Sequence, residues 1–149
     1  MRKYVLDTNC YIDASRDREA LAALTRFASW SAPGLFLSSV VAAELRAGAR
    51  STQDRKRLEK DVLGPFVRRG RVLAPSASGW DALGLTLSVL REEEGLQLSR
   101  VQRGFALDIL LAYSCRENGA VLVTRNAREM VRIKRVFAFA HVAPYPEPS

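Results

Sequence analysis

Short apolar runs alternate along the chain with longer patterned stretches. The runs, rich in aliphatic and aromatic side chains, predict five strands at residues 4–6, 35–37, 71–73, 120–123 and 136–139. The longer stretches predict helices over residues 18–31, 40–49, 52–67 and 76–95, and a fifth from Ser99 to Asn118. Strands that alternate with helices form a parallel sheet covered on both faces. We therefore expect the α/β class: a single-domain α/β/α sandwich with a parallel sheet of about five strands.

The 149 residues are a usual size for one domain, and neither an internal repeat nor a Pro/Gly-rich linker divides them. We expect one domain over residues 1–143 and a loose tail over residues 144–149. Apolar runs fall short of the roughly 18 residues of a spanning helix, so a membrane is not an expected partner. Two cysteines, and an N-terminus without the long apolar segment of a secretory signal, favour a cytoplasmic protein.

Basic residues dominate the charge, with 23 Lys and Arg against 16 Asp and Glu and a net charge of +7. This balance favours a polyanionic partner. The excess is concentrated in residues 50–71 and 125–135, where a solvated helix face is an equally good interpretation. His141 is the only histidine. Chemistry that needs two histidines is therefore hard to assemble, and carboxylates must carry any catalysis.

Three carboxylates stand alone in apolar segments: Asp7 in YVLDTNCYI, Glu44 in LFLSSVVAAEL and Asp108 in GFALDILLAYSC. Burying an isolated carboxylate costs on the order of several kcal/mol, so it must be paired, protonated or bound to a cation. In the predicted fold all three can converge on one edge of the sheet, where a divalent cation would relieve their repulsion. Oxygen ligands alone select Mg²⁺ or Mn²⁺ over zinc.

Each carboxylate also has a purely structural interpretation. Asp7 ends a strand and is followed by Thr8-Asn9, so it could cap the next helix. Glu44 could pair with Arg46 or with a distant arginine. Asp108 is harder to explain in this way, because its helical neighbours are apolar.

A further candidate element is the turn that follows the fourth strand. Asn126 can offer a carbonyl oxygen to a metal or water, Thr124 can hydrogen-bond a carboxylate, and Glu129 could reach the site. Arg125 and Arg128 are suited to phosphate contacts. Asn126 could instead be a helix N-cap, and Glu129 could complete a capping box.

Four blocks in this sequence resemble the PIN-domain nucleases, and among them the VapC-type toxins of bacterial and archaeal toxin–antitoxin pairs. The blocks are VLDTN at residues 5–9, SSVVAAEL at 38–45, DILLA at 108–112 and LVTRN at 122–126. An LDTN motif alone would be weak evidence for this family, whereas four blocks in the same order and at compatible spacing are strong evidence. The resemblance covers nearly the whole chain.

The resemblance implies a PIN-like fold in which Asp7, Glu44 and Asp108 ligate the metal and residues 124–126 complete the site. It also implies Mg²⁺- or Mn²⁺-dependent cleavage of RNA, a homodimer, and inhibition by a small VapB-like antitoxin. We expect four residues to support the ligands: Thr8, Asn9, Thr124 and Glu129. One departure matters most: Asn126 stands in the turn where the family often has a fourth acid, so the fourth ligand stays open.

Other functions remain open at this point. The chain could be a PIN nuclease of RNA processing that is not a toxin, or an RNA-binding module whose site is weakened by Asn126. A small-molecule phosphatase with Asp7 as nucleophile is a poorer match. Such enzymes normally carry a second aspartate two positions after the first, and Asn9 stands there in this chain.

Overall fold

Five parallel strands form one sheet in the computed structural model, which describes residues 1–149. The strands are β1 (Lys3–Leu6), β2 (Leu35–Ser38), β3 (Val72–Leu73), β4 (Ala120–Val123) and β5 (Ala140–Val142). Their order across the sheet is β3-β2-β1-β4-β5, and every neighbouring pair is parallel. The middle pair has the longest register, from Lys3 opposite Ala120 to Leu6 opposite Val123.

Eight α-helices surround the sheet: α1 (Thr8–Arg16), α2 (Arg18–Ser31), α3 (Ser39–Gly48), α4 (Thr52–Arg57), α5 (Gly64–Arg68), α6 (Ala77–Glu94), α7 (Arg103–Glu117) and α8 (Ala127–Lys134). Two 3-10 turns lie at Ala32–Gly34 and Leu98–Arg100, and a π-helical turn lies at Leu58–Leu63. The predicted α/β sandwich with a five-stranded parallel sheet is confirmed.

The two faces of the sheet carry separate parts of the core, as alternation along a strand requires. Tyr4 and Leu6 of β1 pack with Phe27 of α2 on one face. Val5 lies on the other face, in a cluster that includes Leu122 of β4. All of these side chains are buried, so β1 has apolar cover on both faces. Its carboxyl end is therefore rigidly placed.

The predicted strand at residues 136–139 is wrong, because the fifth strand is Ala140–Val142. The amides of Val136 and Phe137 both donate to Ile133 O, which makes these residues a turn at the end of α8. Phe139 is buried in the core, next to the start of the strand. The aromatic content of this segment thus reflects packing and not strand pairing.

The helix predicted over residues 52–67 is confirmed, because α4, the π-helical turn and α5 follow one another without a break. Pro65, which has no N–H to donate, lies at the start of α5, just after the π-helical turn. One other helix prediction needs correction. Ser99 does not begin the fifth predicted helix: it lies in the 3-10 turn, and α7 begins at Arg103.

The tail expected to be loose contains one packed residue. The ring of Tyr145 stacks on Phe27 with centroids 5.3 Å apart and planes 28° apart. Separately, none of the helices is both long and apolar enough to cross a lipid bilayer.

Replacing Tyr145 with alanine tests whether this stacking stabilises the fold. We expect Tyr145→Ala to lower the free energy of unfolding by about 1 kcal/mol, because an aromatic pair contributes about 0.5–1.5 kcal/mol beyond its buried area. Urea denaturation measures the change, with Glu147→Ala, an exposed position, as the control. Equal stability of the two variants would show that the tail is loose throughout.

Candidate active site at the carboxyl edge of the sheet

The candidate site lies where the strand order reverses, between β1 and β4. In open parallel sheets, ligands bind beyond the carboxyl ends of the strands at this point. Asp7 directly follows β1, and Thr124 directly follows β4. Glu44 is carried by α3, which packs against β2, and Asp108 is carried by α7, which packs against β4.

Asp7 is only 4% exposed, and both of its carboxylate oxygens accept hydrogen bonds. Oδ1 accepts the backbone N–H of Thr8 at 2.7 Å, so Asp7 is the N-cap of α1. Oδ2 accepts the Thr124 hydroxyl at 2.6 Å and the Asn9 amide at 3.2 Å. Burial raises the pKa of Asp7, and the rise is opposed by these neutral donors and, less strongly, by the positive charge of Arg125. The capping interpretation is therefore correct, but Asp7 forms no direct ion pair.

Glu44 is partly buried, and its Oε1 accepts the Thr8 hydroxyl at 2.8 Å. It does not pair with Arg46, whose guanidinium instead binds Glu59 at 2.6 and 3.2 Å. Burial is the largest cause of a raised pKa at Glu44, and the negative charge of Asp7 adds to it. Arg103, at the start of α7, lowers this pKa. The simple alternative of a local ion pair at Glu44 is thus excluded.

Asp108 accepts a hydrogen bond at Oδ2 from the Asn126 amide at 3.2 Å. Burial, and to a smaller extent repulsion from Asp7, Glu44 and Glu129, raises its pKa from the ordinary value of 3.8 to about 7. Asn126 has the opposite, smaller effect. All three predicted carboxylates are therefore near enough to interact electrostatically.

A continuous path of residues and hydrogen bonds joins the three carboxylates. Thr8 bonds to both Asp7 and Glu44. On the other side, the Thr124 hydroxyl donates to Asp7 and accepts the backbone N–H of Asn126 at 3.0 Å. In order, the residues of this path are Glu44, Thr8, Asp7, Thr124, Asn126 and Asp108.

The donor set suits a hard cation. Asp7, Glu44 and Asp108 take part in no ion pair, and the groups around them are hydroxyls and amides. No three Asp, Glu, His or Cys side chains are spaced to ligate one ion together, so the three carboxylates do not form a closed cage here. Mg²⁺ is usually held by one or two carboxylates and keeps several waters, which this arrangement accommodates. Ligation by these residues stays a prediction.

The other predicted residues lie around this path. Asn9 donates to Asp7, and Asn126 precedes α8 without capping it through its side chain. Glu129 makes no capping box, because the N–H of Asn126 donates to Thr124. It lies 3.5 Å from Arg132 instead. Arg128 is exposed on the first turn of α8.

Arg125 differs most from its predicted role as a phosphate contact. Its guanidinium binds Asp13 through two bonds, Nε to Oδ2 at 2.9 Å and Nη2 to Oδ1 at 3.2 Å. Asp13 and Arg103 are neighbours of the site that the sequence analysis missed. Asp13 could have been found from its spacing of four residues from Asn9, had a helix been predicted over residues 8–16.

Fold and site together define an α/β protein with an acidic, oxygen-rich site at the switch point of a parallel sheet. The chain matches the PIN domain family model over residues 4–136, and it belongs to that family. The resemblance inferred from the four sequence blocks is thereby confirmed. PIN domains are generally nucleases.

Solved structures with the same fold include three complexes. VapBC2 from Rickettsia felis, bound to a promoter DNA fragment, is 26% identical, with 94% of this chain and 97% of that chain covered and a TM-score of 0.63. DNA-bound VapBC from Salmonella typhimurium is 23% identical, with 97% of this chain and 100% of that chain covered and a TM-score of 0.69. FitAcB from Neisseria gonorrhoeae is 20% identical, with 95% of this chain and 97% of that chain covered and a TM-score of 0.68. No curated protein sequence matches the chain.

The raised pKa of Asp108 predicts how the stability of the metal-free protein changes with pH. Because the folded chain holds this proton more tightly than the unfolded chain, the stabilisation is complete below about pH 4 and is lost as the pH rises through about 7. We expect Asp108→Asn to remove this part of the pH dependence and to raise the free energy of unfolding at pH 8 by about 1–3 kcal/mol.

Urea denaturation in EDTA at pH 5 and pH 8 measures this effect. His141, whose pKa is lowered by burial, contributes a rise in stability with pH, but it does so equally in both proteins. The exposed Asp81, replaced by Asn, is the matched control. A pH dependence that is the same in wild type and Asp108→Asn would contradict the prediction.

Proposed function

We propose that the chain is a metal-dependent endoribonuclease that hydrolyses RNA phosphodiester bonds with Mg²⁺ or Mn²⁺, and that it is the toxin of a VapBC-type toxin–antitoxin pair. One observation carries the proposal: three carboxylates, none of them in an ion pair, are linked by a path of residues and hydrogen bonds at the switch point of a PIN-domain sheet. Buried carboxylates in this state are suited to holding a hard cation against a phosphate.

A bound divalent cation would supply a Lewis acid for the scissile phosphate and would make a water nucleophilic at neutral pH. In this proposal Asp7 and Asp108 hold the cation. Glu44 orients the attacking water, and the Thr8 hydroxyl fixes the rotamer of that carboxylate. No histidine is needed as a base, which agrees with a chain whose single histidine is in β5.

Exposed basic side chains would hold the RNA backbone beside this site. Arg128 is the best placed, because it is exposed on the first turn of α8, two residues after Asn126. Contacts of this kind provide affinity and orientation but little choice of base. Choice of RNA would then depend on shape and on unpaired loops.

The partner proposed for this chain is a small VapB-like antitoxin. The solved relatives support it, because those from Salmonella typhimurium and Rickettsia felis are VapBC complexes and the one from Neisseria gonorrhoeae is FitAcB. The family resemblance further supports a homodimer. A nuclease of RNA processing that is not a toxin would share the site but lack the antitoxin.

An RNA-binding module without catalysis is the second candidate. It is favoured by one observation, the amide of Asn126 on Asp108 in the turn where the family often has a fourth acid. The two candidates share RNA affinity and differ in cleavage.

Conservative removal of single charges distinguishes these candidates. We expect Asp7→Asn and Asp108→Asn each to reduce Mg²⁺- or Mn²⁺-dependent RNA cleavage by about 100-fold or more, since each removes a proposed ligand. Gel assays of a labelled RNA measure the rate, with Asp81→Asn as the surface control. Cleavage at the wild-type rate in both variants would exclude the proposed mechanism, whereas no metal-dependent cleavage by wild type would favour the binding module.

The toxin role predicts growth arrest when the chain is expressed alone. We expect Asp7→Ala to relieve the arrest, because the harm depends on RNA cleavage, and we expect co-expression of a short adjacent open reading frame to do the same. Growth curves after induction measure both effects, and RNA ends sequenced after brief induction identify the substrate. Arrest that persists in Asp7→Ala would mean that the toxicity arises elsewhere, as from the basic surface.

A further inference from the structure

The turn of residues 124–126 is held from outside by one face of α1. Asn9 and Asp13 lie one helical turn apart and therefore share a face. Asn9 Oδ1 accepts the backbone N–H of Arg125 at 3.3 Å, and Asp13 binds the guanidinium of the same residue through two bonds. Both the main chain and the side chain of Arg125 are thus fixed to α1.

Arg125 separates the two residues of the turn that bond to the candidate ligands. On one side of it, the Thr124 hydroxyl is 2.6 Å from Asp7 Oδ2. On the other side, the Asn126 amide is 3.2 Å from Asp108 Oδ2. A shift of Arg125 must therefore disturb both bonds, and with them the orientation of two carboxylates that belong to different elements.

We propose that Asp13 is a positioning residue, which fixes the turn through Arg125 and so orients the carboxylates of Asp7 and Asp108. The proposal rests on the proposed function. It assigns to Arg125 a structural role in place of a phosphate contact. Exposed ion pairs contribute little to stability on their own, and this pair is 39% exposed at Asp13 and 65% at Arg125. The two hydrogen bonds between Asp13 and Arg125 nevertheless fix the orientation of the Arg125 side chain, and a positioning role requires a fixed orientation.

Single and double substitutions of the pair test this role by calorimetric titration of Mn²⁺ without RNA. Residues that orient ligands typically change metal affinity or activity by about 10- to 100-fold. We expect Asp13→Asn and Arg125→Gln each to weaken Mn²⁺ binding by about 10-fold. Because the two act through one contact, the double variant should be no weaker than either single variant.

Steady-state RNA cleavage gives the second readout. Positioning predicts that both single variants lower kcat by about 10-fold while KM changes less than about 2-fold. If Arg125 instead binds phosphate, the Arg125→Gln variant has a raised KM. The Asp13→Asn variant, in which the guanidinium is free to bind phosphate, does not. That result, with unchanged Mn²⁺ affinity, overturns the proposal.

Glu59→Gln is the matched control, since it breaks the other two-bonded pair between an arginine and a carboxylate, Arg46 with Glu59. It should leave Mn²⁺ affinity and kcat unchanged. Melting temperatures show whether each variant is folded, and a loss of affinity in Glu59→Gln equal to that in Asp13→Asn overturns a specific role for Asp13. Mn²⁺ binding without RNA cleavage overturns the proposed function alone, whereas a wild type that does not bind Mn²⁺ overturns both.

Discussion

The organisation of this protein depends on three carboxyl groups that share one edge of a parallel sheet and form no ion pair with an arginine or lysine. Asp7 is buried and satisfied only by neutral donors, and the pKa of Asp108 is raised to about 7 by burial and by its acidic neighbours. Burial and mutual repulsion disfavour the charged forms of these carboxyl groups, and the divalent cation of the proposed function would offset this cost.

Several residues serve the fold and the site at once. Asp7 is the N-cap of α1 while its second carboxylate oxygen faces Thr124. Thr8 begins that helix and orients Glu44 through its hydroxyl. The structural and functional interpretations of Asp7 are compatible, because a carboxylate has two oxygens and capping uses one of them. The path from Glu44 to Asp108 is consequently anchored in secondary structure at both strands.

Much of the fold followed from the sequence because buried parallel strands are nearly continuous apolar runs. Asp7, Glu44 and Asp108 were recognisable since each is a lone charge among apolar residues. Helix α1 was missed because its residues are largely polar, and Asp13 was missed with it. The fifth strand was misplaced since the aromatic residues before it pack into the core, and pairing with β4 depends on tertiary contacts. The ion pair of Arg125 was not predicted either, because it depends on α1 lying beside the turn of residues 124–126, and that helix was missed.

A crystal structure of the protein with Mn²⁺, using the anomalous signal of the ion, tests most directly whether a hard cation compensates these carboxylates. We expect an anomalous peak within about 2.0–2.3 Å of a carboxylate oxygen of Asp7 or Asp108, with Glu44 in its surroundings. A structure at saturating Mn²⁺ without a peak at this edge, or with an arginine or lysine paired to Asp7 and Asp108 in its place, would contradict it.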